Sequence, residues 1–307
     1  MSILVFGHKN PDTDTICSAI AYAELKGKLG KDVKAVRLGE VNEETKFVLD
    51  YFKVEKPELI ESVSGKEIML VDHNEITQTA DGFEEAKVLE LVDHHRISNF
   101  NVDEPLYVRM EPVGCTATII LKLFKENNLL PSPTTAGLML SAIVSDTLLF
   151  KSPTCTGCDV KAGKELAEIA GVNVEEYGLE MLKAGTALGG KSESELINMD
   201  MKIFEVDGSK IGVAQVNTVN EAELLERKEK LLVEINNIIN KEGLKFFIFA
   251  ITNILSNDSI GIVAGDGNAV IEKAFNEKID NNLIALKGVV SRKKQIIPPL
   301  TKAIQEA

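Results

Sequence analysis

The sequence predicts an α/β protein. An N-terminal domain with a mainly parallel sheet flanked by helices precedes a smaller C-terminal α/β domain with a mixed sheet. Three observations carry this. Short apolar runs alternate with segments of helical period through the first half of the chain. Three of those runs, Ile3–Phe6, Ile68–Val71 and Val88–Val92, each stop at a cluster of His and Asp, and every histidine of the protein (His8, His73, His94, His95) follows one of them. The second half opens on a hairpin signal around Asp207-Gly208. A parallel sheet brings the carboxyl ends of its strands to one edge, so the three polar loops are expected to meet there.

Taken in order, Ile3–Phe6 reads as a buried strand running into Gly7-His8-Lys9-Asn10-Pro11-Asp12-Thr13-Asp14. Thr15 to Leu29 has helical period with Gly30 as a C-cap, Val33 to Val36 is a second strand, and Glu43 to Phe52 a second helix. Strands ending at Asp72 and Asp93 follow, then a strand over Tyr107 to Glu111 and a helix from Gly114-Cys115-Thr116 to about Asn127. Thr135 to Phe150 contains an apolar run suited to a buried helix, with Asp146 in it; two more helices occupy Asp159 to Ala170 and Glu175 to Ala184. The polar, Gly-rich stretch 186 to 194 marks a change of composition, which sets the expected domains at 1–187 and 195–307 with 188–194 as hinge linker. Beyond it lie the Lys202–Val206/Lys210–Val216 hairpin, one charged helix over Glu221 to Lys241, strands at Phe246–Thr252 and Ser259–Ala264, a helix at Glu272–Asn276, and a strand at Val289–Ser291 leading into Arg292-Lys293-Lys294.

A chain of 307 residues buries roughly 75% of the surface its unfolded form exposes, so a full core needs no disulfides. With 34 basic and 47 acidic residues the net charge is −13, which repels polyanions at long range. Trp is absent and aromatic residues make up 5%, so stacking platforms for bases are scarce; nucleic acid is not expected as a partner. No apolar run reaches the ~20 residues that span a bilayer, and no basic leader precedes the first strand. Four cysteines, Cys17 and Cys115 in apolar surroundings and Cys155/Cys158 spaced CxxC, read as plain thiols of a reducing, cytoplasmic compartment.

His and Asp without sulfur are the donor set of Mn²⁺, Mg²⁺, Fe²⁺ or Zn²⁺ sites that do chemistry, and three such clusters suggest a hydrolytic centre holding more than one ion. Asp12 and Asp14 also stand where helix N-caps stand, and Asp146 in its apolar run needs either a metal or a capping partner. The Arg292-Lys293-Lys294 triplet in so acidic a chain suits a multiply charged anion, Arg gripping oxygens with two donors and Lys acting as a point charge, although a solvated loop explains it equally.

The ordered set GHKNPDTD (7–14), VDHN (71–74), VDHH (92–95), SD (145–146) and SRKKQ (291–295) resembles the manganese-dependent family II inorganic pyrophosphatases of the DHH phosphoesterase superfamily, over essentially the whole chain. The resemblance implies an inorganic diphosphatase with two Mn²⁺ per subunit, Co²⁺ as a possible substitute, and Mg²⁺ arriving with the substrate pyrophosphate. It implies His8 and Asp12 on the first ion, Asp14 and His94 on the second, and Asp72 and Asp146 on both. His95, Lys202, Arg292 and Lys293 would hold the substrate's phosphate groups, while His73 and Asp93 receive no direct role. Two ions about 3.5–4 Å apart would share and activate one water, the basic residues of the second, DHHA2-type domain would clamp the substrate, and the active site would lie in the interdomain cleft, closing at the linker. A homodimer formed through the N-terminal domain is implied as well. The 20 residues between Asp72 and Asp93 leave no room for the large insert of nucleotide-regulated members. A phosphodiesterase or exopolyphosphatase of the same superfamily is the alternative, and a non-catalytic metal-dependent binding module a more distant one; no histidine after His95 and the −13 charge favour pyrophosphate.

Overall fold

A computed structural model describes residues 2–186, 188 and 190–306. The chain divides into two compact units, Met1–Gly185 and Thr186–Ala307.

The first unit carries a six-stranded sheet in the order β3-β2-β1-β4-β5-β6, every pair parallel. The strands are β1 (Ile3–Phe6), β2 (Val33–Arg37), β3 (Glu58–Leu59), β4 (Glu67–Val71), β5 (Lys87–Asp93) and β6 (Tyr107–Met110). Between and after them come α1 (Thr13–Lys28), α2 (Glu43–Phe52), α3 (Thr116–Glu126), α4 (Pro133–Thr147), α5 (Gly157–Ala170) and α6 (Val174–Gly185). Strand order runs outward in one direction from β1 and in the other from β4. Chains leaving adjacent β1 and β4 therefore diverge, opening a crevice at their carboxyl ends, and the loops after β1, β4 and β5 surround it.

Helix α4 explains why its apolar run shows no clean amphipathic period: residues Thr135 to Val144 are buried on all sides. It begins at Pro133, capped by Ser132, and ends at Thr147, three residues short of the expected Phe150. The chain leaves it through Leu148, Leu149 and Phe150 in the left-handed region (φ 46°, 54° and 65°).

The second unit holds a five-stranded mixed sheet, β11-β10-β9-β8-β7, in which only the β8–β9 pair is parallel. Its elements are α7 (Glu193–Asn198), β7 (Met201–Val206), β8 (Ser209–Thr218), α8 (Glu221–Leu225), α9 (Lys228–Glu242), β9 (Phe246–Asn253), β10 (Asp258–Gly265), α10 (Asn268–Phe275), β11 (Leu283–Leu286) and α11 (Ile297–Gln305). The β7–β8 hairpin turns at Asp207 and Gly208, both left-handed, as the sequence signal requires.

Four expectations are corrected here. The linker's last residues are helical, because Ser192 and Glu195 form a reciprocal capping box that starts α7; Ala187 and Gly189 lie outside the described residues. The single helix over Glu221 to Lys241 is two, broken at Arg227, whose guanidinium turns away to Glu193 (2.9 Å) and the Lys191 carbonyl (2.7 Å). The last strand is Leu283–Leu286, following a turn at Asn281 and Asn282 with positive φ, and not Val289–Ser291. Arg292 to Ile296 form one wide π-type turn, capped by Ser291, rather than a loop. No helix among the described residues is long and apolar enough to cross a membrane.

Candidate metal centre

The loop after β1 supplies His8, Asp12 and Asp14. Asp12 is the N-cap of α1, its Oδ1 accepting from the Thr15 amide (2.9 Å), while Oδ2 faces His8 Nε2 at 3.3 Å. The cap therefore uses one oxygen and leaves the other open toward His8. Asp14 is fully buried, with Oδ1 accepting from Ser18 Oγ (2.5 Å) and Oδ2 from the Thr116 amide (2.8 Å). Gly7 is required here by contact, since a Cβ on it would stand 2.5 Å from Thr15 Cγ2 and 2.9 Å from Thr15 Oγ1.

That Thr15 hydroxyl donates to Asp72 Oδ2 at 2.7 Å, and Thr116 Oγ1 donates to Asp72 Oδ1 at 3.2 Å. Asp72 follows β4 with φ 60°, a conformation worth on the order of 1–3 kcal/mol of strain outside glycine, and its buried carboxylate is the one shared by both sides of the crevice. On one side His8 Nε2 lies 3.7 Å from Asp72 Oδ2. On the other, His94 Nε2 lies 3.5 Å from Asp72 Oδ1, 3.7 Å from Asp146 Oδ2 and 4.0 Å from Asp14 Oδ2. The His94 ring is aimed by its other nitrogen, Nδ1, which donates to the Val113 carbonyl (3.1 Å), the usual orientation of a metal-binding imidazole.

All six residues expected as ligands therefore converge. Ligand atoms of His8, Asp12 and Asp72 lie within 4.8 Å of one another, as do those of Asp72, His94 and His95, and those of Asp14, Cys115 and Asp146. Burial first, and then the neighbouring carboxylates, push the Asp72 and Asp146 carboxyls well above the ordinary range. The ring nitrogens of His8 and His94 face these buried carboxylates, and divalent ions are what such a donor set fits. Carboxyls raised in this way hold their protons to higher pH than free ones and give them up to a bound cation, so Mn²⁺ binding is expected to release protons and to strengthen as pH rises and these carboxyls ionise. Calorimetry of Mn²⁺ binding in buffers of different ionisation enthalpy measures this; a buffer-independent heat at pH 7 would contradict it.

His95 belongs to one of the clusters, but its Nδ1 is committed to Asp93 Oδ1 (2.9 Å), and about half its side chain is exposed. Asp93 is buried, which pushes its carboxyl up; donors from His95 and from Asn74 (2.6 Å) outweigh this and hold it below the ordinary carboxylate range. Both Asp93 oxygens are thus taken up by these donors, which anchors the His95 ring. A cavity of about 300 Å³ opens beside the metal side chains, lined among others by His8, Asp72, His95 and Arg96.

The basic residues stand in the second unit. Arg292 Nη1 pairs with Asp200 Oδ1 (2.8 Å) and also donates to the Asp200 carbonyl, while its amide donates to Gln215 Oε1 (2.9 Å). This fixes the guanidinium next to the start of β7, where Lys202 follows two residues later. Lys202 and Lys293 are both exposed. Cys155 and Cys158 are free thiols.

Sequence reasoning missed Thr15, Thr116 and Cys115. The two hydroxyls hold Asp72 from helix starts 101 residues apart in sequence, which no local pattern reveals. Cys115 adjoins Asp14 and Asp146, yet burial and those carboxylates push its thiol well above the ordinary range and keep it protonated, a poor ligand.

Comparison with known proteins agrees with this geometry. Residues 2–143 match the DHH family, N-terminal domain, and residues 179–303 the DHHA2 domain. A "Probable manganese-dependent inorganic pyrophosphatase" of Exiguobacterium sp. is 59% identical over 98% of both chains, and one of Bacillus cereus 55% identical over 99% of both. The crystal structure of a Methanococcus jannaschii "putative family II inorganic pyrophosphatase" is 43% identical, covering 99% of this chain and 100% of its own, with a TM-score of 0.63. On these identities and this coverage, the chain belongs to the manganese-dependent, family II inorganic pyrophosphatases.

Proposed function

We infer that the protein is an inorganic diphosphatase, hydrolysing pyrophosphate to two orthophosphates with manganese. The observation that carries this is Asp72, a buried carboxylate facing His8 through one oxygen and His94 through the other, in a chain whose relatives, matched over nearly their whole length, bear that name. We propose two Mn²⁺ per subunit, His8 and Asp12 serving one, Asp14 and His94 the other, and Asp72 and Asp146 both. When bound, manganese supplies Lewis acidity toward water and phosphoryl oxygens.

The protein's own groups do the rest. Thr15 and Thr116 hold the Asp72 carboxylate, and Val113 holds the His94 ring, which fixes the orientation of both groups. With Nδ1 of His95 committed to Asp93, Nε2 is the ring atom left to meet a phosphate oxygen. Arg292, its plane set by Asp200, together with Lys202 and Lys293, neutralises charge that moves onto the leaving phosphate, with Mg²⁺ accompanying the substrate.

In this reading residues 1–187 form the metal-binding domain, 195–307 the substrate clamp and 188–194 the hinge. The enzyme works in the cytoplasm, for which its free thiols speak, as a homodimer through the first unit, whose edge strand β6 exposes Tyr107 and Val108. Solution scattering with and without a non-hydrolysable diphosphate tests both features: a monomer mass would remove the dimer, and no compaction would remove the hinge.

The activity itself is tested by phosphate release from chelator-stripped protein titrated with Mn²⁺, Co²⁺, Zn²⁺ and Mg²⁺ in turn, offering pyrophosphate, polyphosphate or a cyclic dinucleotide. Mn²⁺ is expected to restore turnover of pyrophosphate far above the other substrates. Preference for a cyclic dinucleotide or polyphosphate would overturn the assignment.

A further inference from the structure

Glu44 belongs to none of the ligand motifs, yet its carboxylate reaches two of them at once. It lies in the first turn of α2, and its Oε1 accepts from Thr13 Oγ1 at 2.7 Å and from Ser145 Oγ at 2.5 Å. Thr13 sits between Asp12 and Asp14; Ser145 immediately precedes Asp146. A single oxygen therefore joins the loop after β1 to the end of α4, segments more than 130 residues apart that carry four of the six expected ligands. The loop side is braced further by Thr45 Oγ1, 3.1 Å from Thr13 Oγ1.

The arrangement is costly for a purely structural role. No Lys, Arg or His pairs with Glu44 among the described residues; both of its donors are hydroxyls, and burial and Asp12 push its carboxyl up. The other face of the side chain is closed by Gly185, the last residue of α6. A Cβ there would stand 2.8 Å from Glu44 Cβ and 2.9 Å from Oε2, so only glycine leaves the carboxylate where it is.

We propose that Glu44 is a positioning residue of the metal centre: by holding Thr13 and Ser145 on one oxygen it sets the separation of Asp12 and Asp14 from Asp146. Gly185 in turn holds Glu44 in place. This rests on the reading of those aspartates as Mn²⁺ ligands. Groups that orient ligands typically change metal affinity by 10–100-fold when removed, and that is the effect expected.

The test reads Mn²⁺ binding directly, by the electron paramagnetic resonance signal of free Mn²⁺ over full-length, chelator-stripped protein. Glu44→Ala is expected to weaken binding by about 10–100-fold while leaving KM for pyrophosphate at saturating Mn²⁺ unchanged. Glu44→Gln, which keeps an acceptor oxygen for both hydroxyls, is expected to recover most of the affinity. Ser145→Ala is expected to weaken binding in the wild-type background and to add nothing in the Glu44→Ala background, and Gly185→Ala is expected to weaken binding in the wild-type background. Should Glu44→Ala not fold, Ser145→Ala and Gly185→Ala alone carry the test. Wild-type affinity in Glu44→Ala, or in both Ser145→Ala and Gly185→Ala, would overturn the proposal. So would equal loss in the Gln and Ala variants, or an additive effect when Ser145→Ala is combined with Glu44→Ala. A wild-type chain that takes up no Mn²⁺ would instead remove the metal assignment beneath it.

Discussion

Replacing Asp72 by Asn is expected to abolish pyrophosphate hydrolysis while making the metal-free protein more stable. The loss follows from the position of the side chain: it faces both halves of the ligand set, and removing the charge from the carboxylate shared by two dications costs several kcal/mol of binding and transition-state stabilisation, on the order of 10³-fold or more in rate. The gain follows from the metal-free state. Burial and the neighbouring Asp14 and Asp12 raise the Asp72 carboxyl above its unfolded value. A group raised in this way contributes stability below its unfolded pKa and loses it as pH rises through the folded value, so at neutral pH it opposes folding. Asn removes that opposition while keeping partners for Thr15 and Thr116. Relief of about 1–4 kcal/mol is the scale for replacing buried charge. Thermal unfolding of chelator-stripped protein should show Asp72→Asn melting above wild type at pH 7.5 and the difference shrinking toward pH 4. Equal melting temperatures at both pH values would show that Asp72 is not held against its charge.

Arg292 carries the second large effect. Arg292→Lys keeps a positive charge but loses the planar fork, and with it the pairing that Asp200 orients. If the clamp acts on the leaving phosphate, kcat should fall by about 10²–10³-fold with little change in Mn²⁺ affinity, and Arg292→Ala should fare no better than Lys. Full turnover in Arg292→Lys would mean that only a point charge is needed. Loss of Mn²⁺ affinity in either variant would mean that Arg292 acts through the metal centre.

How much of this was readable in the sequence depends on how local the cause is. An apolar tetrad that stops at His or Asp is a local pattern, and β1, β4 and β5 with their ligand loops follow from it directly. Pattern alone leaves Asp12 between cap and ligand; in the structure one oxygen caps α1 and the other faces His8, which leaves room for both. The interactions that aim the ligands were illegible because they close over long separations: Thr116 on Asp72, Val113 on His94, Glu44 between Thr13 and Ser145. The same is true of the break at Arg227, where a contact to Glu193 ends a pattern that would otherwise continue as helix. Other misses were avoidable. Asn281-Asn282 is a turn signal placed immediately before the Leu283–Leu286 strand, and Ser192 with Glu195 spells a capping box inside the stretch that composition marks as linker.

In the proposed centre, six side chains from four segments cage two divalent ions around Asp72. Anomalous diffraction at the manganese edge from crystals grown with Mn²⁺ measures it directly. Two peaks are expected, one against His8 and Asp12 and one against Asp14 and His94, with Asp72 touching both. A single peak, or two that do not share Asp72, would contradict it.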